Sequence, residues 1–378
     1  MIADVVIVGG GVIGLSVAYV LASEGVSCAV LDRDEMGRAA SWAGAGIIAP
    51  PANRPPADPA TALRSLSARL HEDWSARLKD ETGIDNGYRR CGGLDVAMNS
   101  REEAELQPYC RLWDDEGIAF ERLDGAALRG LEPGLSDEVA AGYHLPDRAQ
   151  IRNPRHLRAL KAACQRKGVT LLESQTVTSF RQDAGRVLAV DTPDRAIRCG
   201  WVVLCAGPWT EALARTIAVD IATPPVKGQI VLFHSERPLL SRIVEHGADY
   251  LVPRNDGHIL MGATEESVGF DLRTTPDAER ALVAHAHRLL PALKTAEIVT
   301  TWTGLRPGNL DGNPTIGLAS GYENVVLATG HRRAGIQLSP GTAHVVADLI
   351  LGRPERFDLR PFRPGRPPTP ARADAFRS

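Results

Sequence analysis

The most constraining stretch of this chain lies near its start. VVIVGGGVIGLSVAYVLA, residues 5–22, is apolar enough to suggest a membrane span, yet Gly9, Gly10 and Gly11 interrupt it. A glycine in a helix interior costs about 1 kcal/mol against alanine. A strand over 3–8, a tight turn, and a helix over 12–24 stopped by Gly25 fit better. VSCAVL, residues 26–31, then reads as a second strand closed by Asp32. Together these form a βαβ unit, not a span.

The turn Gly9-Gly10-Gly11-Val12-Ile13-Gly14 has the spacing GxGxxG. Gly9 permits the tight turn, Gly11 lets backbone approach a pyrophosphate, and Gly14 lets the helix pack on the strand. The pyrophosphate would meet the positive end of the helix. Asp32, 18 positions after Gly14, stands where a carboxylate accepts hydrogen bonds from ribose hydroxyls. GxGxxG alone could be a plain glycine-rich turn. With strand, helix, second strand and terminal acid all in place, it points to a dinucleotide.

Three further stretches point to FAD. Ser41-Trp42-Ala43-Gly44-Ala45-Gly46 offers small side chains where a bulky ring could lie against backbone. Cys205-Ala206-Gly207 ends a late strand and gives a second approach to the nucleotide. Gly330-His331-Arg332-Arg333-Ala334-Gly335-Ile336 reads as strand, turn and helix. That helix could aim its N-terminus at a flavin carbonyl and stabilise negative charge there. A nicotinamide enzyme needs no such scattered contacts. A single GxGxxG also leaves no second nucleotide site, so the substrate would reduce the flavin, and oxygen or another acceptor would reoxidise it.

The chain has 378 residues, 44% of them hydrophobic, enough for more than one domain. A net charge of -3 and no clustered basic excess exclude a nucleic-acid surface. Six cysteines without a CxxC pair argue against zinc. Met1-Ile2-Ala3-Asp4 carries an acid where a signal peptide needs basic residues. The expectation is reduced cysteines, a cytoplasmic protein and no membrane partner. Assembly into a homo-oligomer stays open.

Organisation follows from the pattern. Residues 63–83, 153–168, 276–293 and 335–352 read as helices; 201–207 and 324–330 read as buried strands; 223–264 is β-rich. The expected fold class is α/β: a discontinuous Rossmann-type FAD-binding domain (1–85, 145–215 and 305–364) plus a second α+β substrate domain with a mixed sheet (86–144 and 216–304). The proline- and arginine-rich tail from Arg360, above all 365–378, is expected to be disordered.

The set VVIVGGGVIGLSVAYVLA, ASWAGAGIIAP, PVKGQIVLF, DYLVPR, GATEE, GLRPGNLDGNPTIG and VVLATGHRRAGIQLSP resembles the D-amino acid oxidase superfamily, in its glycine oxidase branch. The resemblance spans roughly residues 3–352, and its ordered C-terminal motifs are more specific than the fingerprint. It implies a non-covalent FAD, because members with covalent flavin use a C-terminal cysteine and the last one here is Cys205. The implied substrate is a small amino acid, losing a hydride from its α-carbon to give an imine. Molecular oxygen is the implied acceptor, hydrogen peroxide the product, and thiamine biosynthesis the setting.

The resemblance also assigns roles. Arg306 matches the arginine that holds the substrate carboxylate, Tyr250 the tyrosine that contacts it, and Arg333 a second arginine near carboxylate and flavin. A guanidinium fork suits a carboxylate. Alone, Arg306 would read as a solvated turn residue and Tyr250 as a half-buried strand residue. Either Arg332 or Arg333 could face the site. The expected cofactor contacts are Gly9, Gly11, Val12, Ile13, Gly14, Asp32, Arg33, Ser41, Ala43, Gly44, Ala45, Gly46, Val177, Ala206, Gly207, Trp209 and His331 to Ile336. No metal is expected. His246 and His258 are taken as structural or peripheral. Two positions depart from the family: Glu265 replaces an apolar residue and Arg332 an aromatic one. If Glu265 points into the pocket it would favour a secondary or cationic amine or change the pH dependence; if it faces solvent it would do neither. Two alternatives remain: a dehydrogenase of the same fold, and a flavin-binding protein without amine chemistry.

Overall fold

A computed structural model describes residues 1–56, 58–309 and 311–367. The chain opens with β1 (Ile2–Val8), α1 (Val12–Ser23) and β2 (Cys28–Leu31). Val5, Val6 and Ile7 are completely buried, because β1 is covered on both faces. A strand in that position reads as a continuous apolar run, and each such side chain contributes about 1.5–3 kcal/mol on burial. After one short turn of helix, α2 (Ala40–Ala43), comes the long α3 (Pro59–Thr82). Asp58 caps α3, its carboxylate accepting from the Ala60 and Thr61 N–H groups at 2.9 and 3.1 Å. Gly83, at φ 75°, ends it in the left-handed region.

The chain then crosses to a second sheet with β3 (Gly93–Ala97), β4 (Glu121–Asp124) and β5 (Ala141–Leu145), and returns through α4 (Asn153–Arg166). Strands β6 (Thr170–Leu172), β7 (Ser179–Asp183), β8 (Arg186–Asp191) and β9 (Ala196–Leu204) complete most of the first sheet. A second crossing supplies β10 (Pro225–His234), β11 (Ile243–His246), β12 (Asp249–Pro253), β13 (His258–Gly262), α5 (Pro276–Leu289) and β14 (Glu297–Pro307). The last return gives β15 (Thr315–Leu318), β16 (Val325–Thr329) and α6 (Gly335–Ile350).

The first sheet runs β7-β8-β9-β1-β2-β6, with β16 also on β9 and β15 on β16. The pairs β9/β1, β1/β2, β2/β6 and β9/β16 are parallel. Helices α1, α3, α4 and α6 pack against one another over one face. Val5 and Ile7 enter that core, while Val6 and Val8 enter the core on the other face with Ala214 and Ile217. The second sheet runs β14-β10-β13-β12-β11-β3-β5-β4. Its pairs are antiparallel except β11/β3. Both sheets are therefore mixed and built from separated segments.

Arg306 sits near the end of β14, an 11-residue strand paired with β10. One expectation needs correction. The tail is ordered as far as it is described. Arg360–Phe362 form a short 3-10 turn, Phe362 is fully buried, and Arg366 pairs with the buried Asp311 at 2.7 Å. One apolar anchor and one buried charge pair outweigh the disorder-prone composition. Residues 368–378 lie outside the described residues.

Candidate active site

The parallel strands β1, β2, β9 and β16 all end on one edge of the first sheet, the side where open α/β sheets bind ligands. There Gly9 turns the chain at φ 113°, and a Cβ on it would stand 2.5 Å from the Cys205 carbonyl oxygen. Its own N–H donates to Leu31 O at 2.8 Å. Gly14 lies behind the turn, where a Cβ would collide with Gly9 O. Gly11 starts α1 without a capping side chain; Ser41 Oγ instead accepts from the Val12 N–H at 2.9 Å. The Asp32 carboxylate accepts from Gly10 N–H at 2.8 Å and from Asp34 N–H at 3.0 Å. Burial raises its pKa against those bonds. Each carboxylate oxygen keeps a free lone pair for a further donor.

This edge opens into a cavity of about 1180 Å³ that reaches the second sheet at Gly228, Ile230, Tyr250, Gly304 and Arg306. The volume exceeds that of most small-ligand sites. Of the expected cofactor and substrate contacts, all line it except Gly14. Arg33 covers the Trp209 ring at 4.1 Å. Ala334, Gly335 and Ile336 bring the start of α6 to the wall. His331 is buried, and its Nε2 bonds Thr342 Oγ1 at 3.0 Å. Burial lowers its pKa to about 3, so the ring is neutral.

These features fit an FAD. The glycine turn gives backbone access, Asp32 offers a carboxylate, and two helix starts face one long cavity. Among the described residues Cys205 is the cysteine on the wall, and it offers no attachment point. Its thiol donates to Val8 O and Gly9 O at 3.4 Å, and burial pushes its pKa up.

At the far end, Arg306 Nη1 donates to Thr264 O at 3.0 Å and Lys227 O at 3.4 Å. Those bonds fix the guanidinium but neutralise nothing, and burial lowers its pKa. Its flat head rests on Gly228, where any Cβ would collide with it. Tyr250 is 8% exposed, and burial raises its pKa, so the phenol keeps its proton. Arg333 is exposed, with Nη2 donating to Ala248 O at 2.7 Å. Arg332, at φ 44°, also lines the cavity and pairs with Glu265. Glu265 and Arg332 are thus partners, which their separate positions in the sequence do not reveal.

His246, taken as structural or peripheral, also lines the cavity. It joins Glu102 at 2.9 Å and His285 at 2.9 Å, and His285 joins Asp249 at 2.8 Å. His258 stays away and bonds Asp256 at 3.0 Å. Gly228 and Gly304, which line the cavity, and Trp302 and Arg254, which bond the carbonyls of Ala43 and Ala45 on its wall, carried no signal alone. Only strand register could have found them. Among the described residues no acid, histidine and cysteine cluster suits a metal, and no helix is long and apolar enough to cross a membrane.

Over most of its length the chain is similar to known proteins. The family profile described as DAO, FAD dependent oxidoreductase, matches residues 4–349. Glycine oxidase of Pseudomonas putida is 37% identical, covering 96% of this chain and 98% of its own. The bifunctional protein ThiO/ThiG of a Nostoc species is 36% identical over 93% of this chain and 53% of its own. The crystal structure of glycine oxidase from Geobacillus kaustophilus superposes with a TM-score of 0.93 at 31% identity, covering 97% of this chain and 100% of that one.

Proposed function

The chain belongs to the FAD dependent oxidoreductase (DAO) family, and from that premise we propose that it oxidises glycine and related small amines, including sarcosine and some D-amino acids. When bound, FAD supplies the acceptor for a hydride from the substrate α-carbon. The chain's own residues do the positioning. Arg306 offers its remaining N–H donors to the substrate carboxylate, and Tyr250 donates its phenol hydrogen to the same group. Arg333 adds charge from the α6 side. Reactants held in alignment can gain about 7–11 kcal/mol of the barrier. An amine that binds neutral needs no general base.

The reading continues to an imine, then glyoxylate or a 2-oxo acid with ammonia, and hydrogen peroxide from oxygen. Similarity to ThiO/ThiG supports a role in thiamine biosynthesis. Six free cysteines support a reducing, cytoplasmic setting. The reading also keeps the two-domain division, with residues 86–144 and 216–304 as the substrate domain.

One observation carries it: Tyr250 and Arg306, distant in sequence, line the same cavity as the Gly9–Gly14 turn. The test is anaerobic addition of glycine, sarcosine, D-alanine and D-proline, separately, to the holoenzyme, followed by air. Flavin bleaching by one of them, then recovery with peroxide, is expected. Bleaching without rapid recovery would mark a dehydrogenase. No bleaching would remove this reading of the pocket.

A further inference from the structure

The Ser41–Gly46 segment is strung between the two halves of the molecule by its carbonyls. On the helix side, Asn153 Nδ2 donates to Ser41 O and Gly44 O, each at 2.9 Å. On the second-sheet side, Trp302 Nε1 donates to Ala43 O at 3.0 Å and Arg254 Nη2 to Ala45 O at 2.6 Å. Arg254 Nη1 also takes Gln150 Oε1 at 2.6 Å and Ile151 O at 3.1 Å, so one guanidinium fixes three acceptors.

The two anchors from the second sheet share a placement. Trp302, Gly304 and Arg306 alternate along β14 and fall on one face. Tyr250 and Val252 fall on one face of β12, and Arg254 continues that alternation just past its end. Each strand therefore carries a cavity residue and, four residues away, an anchor for the segment. The separation is about 13 Å of paired strand, which cannot stretch. Gly304 brings the strand close: a Cβ there would stand 2.5 Å from Ala43 Cβ. The Trp302 ring also meets Trp42 edge-on at 5.4 Å.

We propose that Trp302 and Arg254 are positioning residues, which set the depth of the Ser41–Gly46 wall against the carboxylate grip of Arg306 and Tyr250. This rests on the reading of that grip given above. The wall is where the cofactor ring would lie, so moving it changes the gap between ring and α-carbon while the carboxylate contacts stay intact. Their loss should slow hydride transfer without weakening carboxylate binding.

The test compares wild-type holoenzyme with Trp302→Phe, which keeps a ring on Trp42 but removes the N–H, and with Arg254→Leu and Arg254→Lys. Three quantities are measured: the visible circular dichroism of bound FAD, the affinity for acetate read from the flavin spectrum, and the anaerobic bleaching rate at saturating amine. The expected result is altered dichroism, unchanged acetate affinity and a bleaching rate lower by about tenfold or more. Arg254→Lys should recover part of it, since an ammonium keeps the charge but not the fork. Unchanged dichroism in Trp302→Phe and Arg254→Leu would overturn the inference. So would parallel loss of acetate affinity and rate, which marks general loosening. Should no amine bleach the wild-type flavin, the pocket reading falls, and dichroism with acetate affinity still decides the anchoring.

Discussion

Arg306 shows how one side chain acquires its setting. Gly304 serves the close approach of β14 to Ala43, and Gly228 on β10 makes the bed for the guanidinium. Replacing Arg306 by leucine should leave FAD bound and weaken acetate and amino-acid binding. A lost partner in a buried charge pair costs about 2–5 kcal/mol, or about thirtyfold at the lower end. Normal turnover of glycine by that variant would sink the assignment. Gly228→Ala should weaken the same ligands with the charge retained, because its Cβ displaces the head; unchanged acetate affinity would contradict this. The Glu265–Arg332 pair is of another kind. Both members are more than a third exposed, and such a pair contributes about 0–1 kcal/mol. Glu265→Gln should therefore shift the unfolding free energy by less than about 1 kcal/mol, measured in urea.

At the scale of elements, α6 departs from a regular helix, and the cause is local. Pro340 lies inside it and has no N–H, so Ile336 O loses its partner four residues on. His71 Nε2 on α3 donates to Ile336 O at 3.0 Å and Gln337 O at 3.1 Å, and Ser67 Oγ accepts from Gly341 N–H at 3.1 Å. Two side chains of α3 thus repair the first turns of the helix that reaches the cavity. His71→Ala should cost about 1–3 kcal/mol, the desolvation of carbonyls left without donors. In a Pro340→Ala background the cost should shrink, since residue 340 then has an N–H for Ile336 O. Equal costs in both backgrounds, by urea unfolding, would refute the repair. Legibility follows the same line between local and distant causes. β1, α1 and β2 were readable because their apolar runs, glycines and closing acid are contiguous. β14 was not: Ile298, Val299 and Thr300 are exposed, no alternation marks them, and the strand exists through its pairing with β10. The same holds in the site. Arg306 and Tyr250 stood out through motifs, whereas Trp302 and Arg254 acquire meaning only when two strands and the Ser41–Gly46 segment meet.

Across the whole molecule, the interior holds histidines that water would protonate. His71, His156 and His331 are at most 4% exposed, and burial lowers their pKa values to about 4, about 3 and about 3 from 6.5. They connect α3, α4 and the turn before α6, so their charge state bears on the helix layer beneath the cavity. The unfolded chain takes up these protons below its ordinary histidine value and the folded chain does not. Stability therefore rises with pH wherever the unfolded state binds more protons. Their contribution is level above the unfolded value and falls as pH drops below it, by up to about 1.4 kcal/mol per pH unit for each ring. Carboxylates held down by partners, such as Asp256 beside Arg152 and His258, lose their contribution only below the ordinary carboxylate range. The interval from pH 7 to pH 5 therefore isolates the histidines. Each ring should remove up to about 2 kcal/mol by pH 5, a large part of the roughly 5–15 kcal/mol that holds an ordinary domain together. Urea unfolding of the holoenzyme at pH 7, 6 and 5 measures it, and a midpoint that does not move would mean these rings gain protons in place. His156→Gln should flatten the slope by about one proton's share, because a neutral amide cannot titrate.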